Sequence, residues 1–145
     1  MKLQSFVENF GKEACLCIDY CWAVAEYLGA PDDLTKIALT LQTCVTCYDT
    51  DILGSDFFVK DPVKLMKTCA TLAGYPELKI TVEKLDIESY KDLPEKKYAA
   101  VRHDYNGNSH FVLAYNKTLC YDSLDDSKCV RFGKPTTARV ITFSK

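Results

Sequence analysis

The apolar pattern of this chain changes period once, near residue 78, and that switch restricts the folds open to it. Before it, Ala14, Cys17, Ile18, Cys21, Val24, Ala25 and Leu28 recur at helical spacing and predict a helix from Ala14 to Leu28, ended by Gly29-Ala30-Pro31. Asp32 or Asp33 caps a second helix reaching to about Cys47, with Leu34, Ile37, Ala38, Leu41 and Val45 on its apolar stripe. Asp61-Pro62 starts a third, to Leu72 or Ala73, because aspartate caps and proline suits the first turn; Gly74-Tyr75-Pro76 stops it. From residue 78 the period is two, with strands expected over Leu78 to Val82, Tyr98 to His103, His110 to Tyr115, Thr118 to Asp122, Cys129 to Phe132 and Ala138 to Phe143. Helices first and strands second indicate an α+β fold, the helices packed on a C-terminal antiparallel sheet. No repeat, low-complexity stretch or linker divides the chain, so residues 1–145 read as one domain.

Eighteen basic and twenty acidic side chains are scattered along the 145 residues for a net charge of −2, which argues against nucleic acid or an anionic membrane as the main partner. No segment is apolar enough to span a bilayer, and the first nine residues do not make a signal peptide, so a cytoplasmic location is expected. Without an export signal, the eight cysteines read mostly as reduced core residues rather than as a disulfide framework. Cys44 and Cys47 have the C-x-x-C spacing, but a tetrahedral zinc site needs two more ligands and no second pair is present. No metal or cofactor is expected.

Among Cys15, Cys17 and Cys21 on the first helix, Cys17 and Cys21 fall in the middle of the apolar stripe. Cys15 falls at its edge with Asp19, Trp22 and Glu26, where it is expected to meet solvent. It also lies in the first turn, where unpaired N–H groups and the helix dipole stabilise a thiolate. His103 and His110 are the two histidines and flank one turn-rich loop, Asp104 to Ser109. His110, at the start of a strand, is the preferred base and His103 its competitor. Tyr105, Asn106 and Asn108 in the loop are candidates to line a cleft beside His110.

The orienter follows from parity. A two-residue turn after Tyr115 sets Asp122 on the wrong side of the sheet for His110, whereas a three-residue loop, Tyr115-Asn116-Lys117, sets them opposite each other. The second register also pairs Phe111 with Tyr121 and Leu113 with Leu119 on the other face, and it is the one expected. Opposed residues have Cβ atoms about 5 Å apart, within reach of a carboxylate–imidazole hydrogen bond. Asp125 remains an alternative to Asp122.

The order Cys, His, Asp, with the cysteine on an N-terminal helix and the others on a following antiparallel sheet, resembles the papain-like cysteine peptidases. Gly11-Lys12-Glu13-Ala14-Cys15-Leu16-Cys17, Asp56-Phe57-Phe58-Val59-Lys60-Asp61-Pro62, Ser109-His110-Phe111-Val112-Leu113 and Tyr121-Asp122-Ser123-Leu124 are similar to a small bacterial and phage family of such peptidases, akin to the bacteriocin-processing ones. The tail Val130-Arg131-Phe132-Gly133-Lys134 to Ala138-Arg139-Val140 is similar to its closing strands. The resemblance implies a papain-like fold, Cys15 as nucleophile, His110 as base, Asp122 as orienter and a peptide or protein substrate. It also implies an oxyanion donor upstream of the cysteine, with Gln4 the candidate and Asn9 nearer in sequence. The competing expectation is a papain-like binding module, phage-encoded and acting on a host component, in which Cys15 and His110 are remnants; a zinc-stabilised interaction protein using Cys44 and Cys47 is the third.

Overall fold

A computed structural model of the chain describes residues 14–124 and 126–145. The first helix, α1, runs over Ala14–Tyr27 and ends in a Schellman arrangement. Ala30 N–H donates to the Ala25 carbonyl and Gly29 N–H to that of Glu26, with Gly29 at φ 81°, a conformation glycine adopts without steric cost. Residues Ala14 to Ala25 are buried all round except Leu16. The expected solvent edge of this helix is therefore corrected: Asp19 and Trp22 are interior, because Tyr121 of the sheet stacks on Trp22 at 3.8 Å between ring centroids.

Helix α2 spans Asp33–Cys47, with Asp32 as its cap, accepting from Thr35 N–H at 2.8 Å. Its buried face is Ile37, Leu39, Thr40, Thr43, Cys44 and Cys47; of the expected stripe Ile37 is buried and Leu41 partly so, while Ala38 is exposed and Leu34 and Val45 are 72% and 79% exposed. Small side chains occupy the contact because the helices approach closely there. The Thr40 and Thr43 hydroxyls donate to the carbonyls of Lys36 and Leu39, so threonine is buried without an unpaired group. Helix α3, Pro62–Leu72, has Asp61 as its cap and buries Leu65, Met66, Cys69 and Ala70. Between the three helices, Cys17 Sγ and Cys44 Sγ lie 3.5 Å apart and Cys69 Sγ donates to the Cys21 carbonyl at 3.9 Å. All eight cysteines are free, and Cys120 is the exposed one.

The strands are β1 (Lys79–Asp86), β2 (Tyr98–Tyr105), β3 (Asn108–Tyr115), β4 (Thr118–Tyr121) and β5 (Lys134–Ser144). Among the described residues they form an antiparallel sheet in the order β1-β5-β2-β3-β4. Alternation gives it two apolar faces. Ala100, Leu113, Tyr121 and Ile141 pack on the helices, while Ala99, Val101, Val112, Ala114, Ala138 and Val140 pack on Ile87 and Leu93. The expected loop from Asp104 to Ser109 is mostly strand: β2 and β3 join through Asn106 and Gly107, at φ 49° and 77°, the left-handed pair of a tight hairpin.

Cys129 to Phe132, expected as a strand, lies in a short helix, α4, over Lys128–Phe132. Five residues alternate too briefly for period to decide, and Gly133 lets the chain turn from α4 into β5 hard against the Asp104 carbonyl. Among the described residues no helix is long and apolar enough to cross a membrane.

Candidate functional site

The turn after β3 departs from the expected register. Asn116 and Lys117, at φ 51° and 67°, make a two-residue turn, pairing Tyr115 with Thr118 and Ala114 with Leu119. The next pair is Leu113 with Tyr121, so Cys120 is an extra residue, a bulge. One extra residue reverses the parity that the turn alone dictates, and Asp122 returns to the side of His110. The His110 Nε2 to Asp122 Oδ1 distance is 2.6 Å. Leu124 N–H donates to the same oxygen at 3.0 Å, fixing the carboxylate from behind. Both side chains are largely buried, His110 being 4% exposed.

Strand β4 pairs with β3 only from Leu113 onward, which leaves the β3 backbone ahead of it open to α1. There the Phe111 N–H donates to Cys15 Sγ at 3.5 Å, so the thiol lies against the peptide group joining His110 to Phe111. The strand start and the segment after β4 thus bring His110 and Asp122 together, and the helix start sets Cys15 against the backbone of the same strand start. Cys15 is only 3% exposed, against the expectation of a solvent-facing thiol. It lines the wall of a cleft of about 410 Å³, shared with Phe58, Arg102, Asn108, Phe111 and Arg139.

No family model, curated protein or solved structure matches the chain.

The competitor histidine is engaged elsewhere. His103 directly opposes His110 across β2 and β3, with its Nε2 2.7 Å from Tyr90 Oη. Burial, and then the neighbouring His110, push its pKa below 6.5, and among the described residues its Nδ1 has no hydrogen-bond partner. Gln4, Asn9 and Asp125 lie outside the described residues. Of the loop candidates, Asn108 lines the Cys15 cleft and also, with Tyr105 and Asn106, a second hollow beside Cys129 and Phe132. Cys44 touches Cys17 in the helical core, and among the described residues no group of three or more potential ligands is placed to hold a metal.

One group the sequence reading set on a solvent edge belongs beside the site. Asp19, one helical turn after Cys15, is 0% exposed, and among the described residues neither carboxylate oxygen has a hydrogen-bond partner. Burial first, and the Asp122 charge second, raise its pKa well above 3.8, so it is held as a neutral acid. The available signal was its i+4 spacing from Cys15, which sets both on one helix face.

Proposed function

We propose that the chain is a papain-like cysteine peptidase or related thiol acyltransferase acting on a peptide or isopeptide bond. The observation that carries this reading is the 2.6 Å contact of His110 Nε2 with Asp122, beside a thiol that touches the backbone at His110–Phe111. With Nε2 held by the carboxylate, Nδ1 is the nitrogen left to exchange a proton with sulfur. In the proposed cycle His110 takes the Cys15 proton, the thiolate attacks the scissile carbonyl, and His110 returns the proton to the leaving amine. Water, or a second amine in the transfer variant, then attacks the thioester and frees Cys15. Asp122 fixes the tautomer, while the Phe111 N–H supports negative charge on sulfur. Free thiols throughout are in keeping with a reducing compartment such as a cytoplasm.

The 3% exposure of Cys15 favours a second reading, a papain-like binding module whose thiol is a remnant. Site-resolved iodoacetamide labelling of the native chain at about pH 6, where ordinary thiols react slowly, separates the two. The enzyme reading expects fast labelling confined to Cys15 and abolished in His110→Ala, with turnover lost in Cys15→Ala. Slow labelling at all eight cysteines rejects it.

A further inference from the structure

Two guanidinium groups line the cleft beside Cys15, and none of its described lining residues is acidic. They are not equivalent. Arg102 donates from Nε to Asp104 Oδ1 at 2.9 Å and is neutralised within the protein. Arg139 donates from Nη1 to the neutral Thr137 hydroxyl at 3.0 Å and lies 4.7 Å over the Phe111 ring, and among the described residues no carboxylate pairs with it. It is half-buried; burial first disfavours its cation, Tyr20 nearby favours it and the like charge of Arg102 opposes it, with the net balance against the cation. A half-buried cation without an anion gains most from a ligand that supplies one, and the planar guanidinium matches a carboxylate in a two-pronged hydrogen bond. Phe111, under the guanidinium, is the residue whose N–H touches the Cys15 sulfur.

We propose that Arg139 binds a carboxylate of the substrate, so that the cleft selects peptides carrying an acidic side chain or a free C-terminal carboxylate near the bond Cys15 attacks. The selection rests on the peptidase reading for its substrate; the anion site itself does not, because it is a property of the cleft. Phe58 and Phe111 supply the apolar walls against which such a peptide lies, and Asp104 keeps Arg102 from competing for the anion.

The test uses the full, reduced chain near pH 8, where any accessible thiol reacts, and compares alkylation by anionic iodoacetate with that by neutral iodoacetamide. Peptide mass spectrometry reads each site, and exposed Cys120 is the internal reference. The iodoacetate-to-iodoacetamide rate ratio at Cys15 should exceed that at Cys120 by about tenfold, the scale of one hydrogen bond to a charged group. The excess should shrink with added salt and vanish in Arg139→Gln.

Two peptides then compete against iodoacetamide at Cys15: one with glutamate and blocked termini, and one neutral with a free C-terminal carboxylate. Protection by the first assigns the site to acidic side chains, and protection by the second to chain termini. Equal ratios at Cys15 and Cys120, an excess insensitive to both salt and Arg139→Gln, protection by neither peptide, or a Cys15 that neither reagent reaches overturns the proposal. Slow labelling at pH 6 rejects the catalytic reading and leaves these ratios to decide the anion site separately.

Discussion

A fully buried carboxyl group with no hydrogen-bond partner among the described residues, as at Asp19, is disfavoured in its charged form by burial. The pH dependence follows from that. Below the ordinary value of 3.8 both folded and unfolded chains hold the proton and the contribution of Asp19 to stability is intact. Above it the unfolded chain releases the proton while the folded one retains it, so stability falls as pH rises toward the folded pKa. Asp19→Asn removes the titration, and urea midpoints measured between pH 4 and pH 8 should decline less steeply than in the parent; an unchanged slope refutes the buried neutral acid. The three proposed reactive residues were legible as single positions, because helix start, strand start and strand parity each mark a place. Asp19 was not, since an acidic residue beside Trp22 and Glu26 reads as a surface edge until the packing of Tyr121 on Trp22 closes it.

Among elements, the turn and bulge on either side of β4 act together. The Asn116-Lys117 turn alone would face Asp122 away from His110, and the bulge at Cys120 restores it. Sequence parity put Asp122 on the side of His110 through a different loop, because a three-residue loop and a two-residue turn followed by a bulge each shift the register of a plain two-residue turn by one residue. Lys117 has φ 67° with a side chain that disfavours it, and its ammonium donates to the Lys91 carbonyl at 3.2 Å on the surface. Lys117→Gly completes the Asn-Gly sequence preferred in such turns and should stabilise the chain by up to about 1 kcal/mol in urea unfolding. A destabilised variant would show that the surface contact outweighs the backbone strain. The α2 stripe is legible only in part: the buried face holds Ile37 and Leu39 but also Thr40 and Thr43, whose hydroxyls are satisfied by their own helix and so escape a reading by hydropathy.

At the scale of the molecule, the switch of period near residue 78 did delimit the architecture, helices first and antiparallel sheet after. The strand order was not legible, because period two marks strands without naming their neighbours. Strand β5 lies between β1 and β2, so the middle of the sheet is held by long ladders on both sides, whereas β4 contributes three paired positions at an edge. Amide hydrogen exchange should accordingly be slowest in β2 and β5, around Val101 and Val140, and faster in β4; equal protection of Leu119 and Val101 would contradict this. The same topology governs how the sheet is assembled. Strands β2, β3 and β4 close through two-residue turns, so their contacts are local and cheap in loop entropy, while β1 has only β5 as a described strand partner and waits for the least local closure in the sheet. A molecule halted before that closure carries β1 with both edges open, and its most accessible substitute partner is the same strand of another copy.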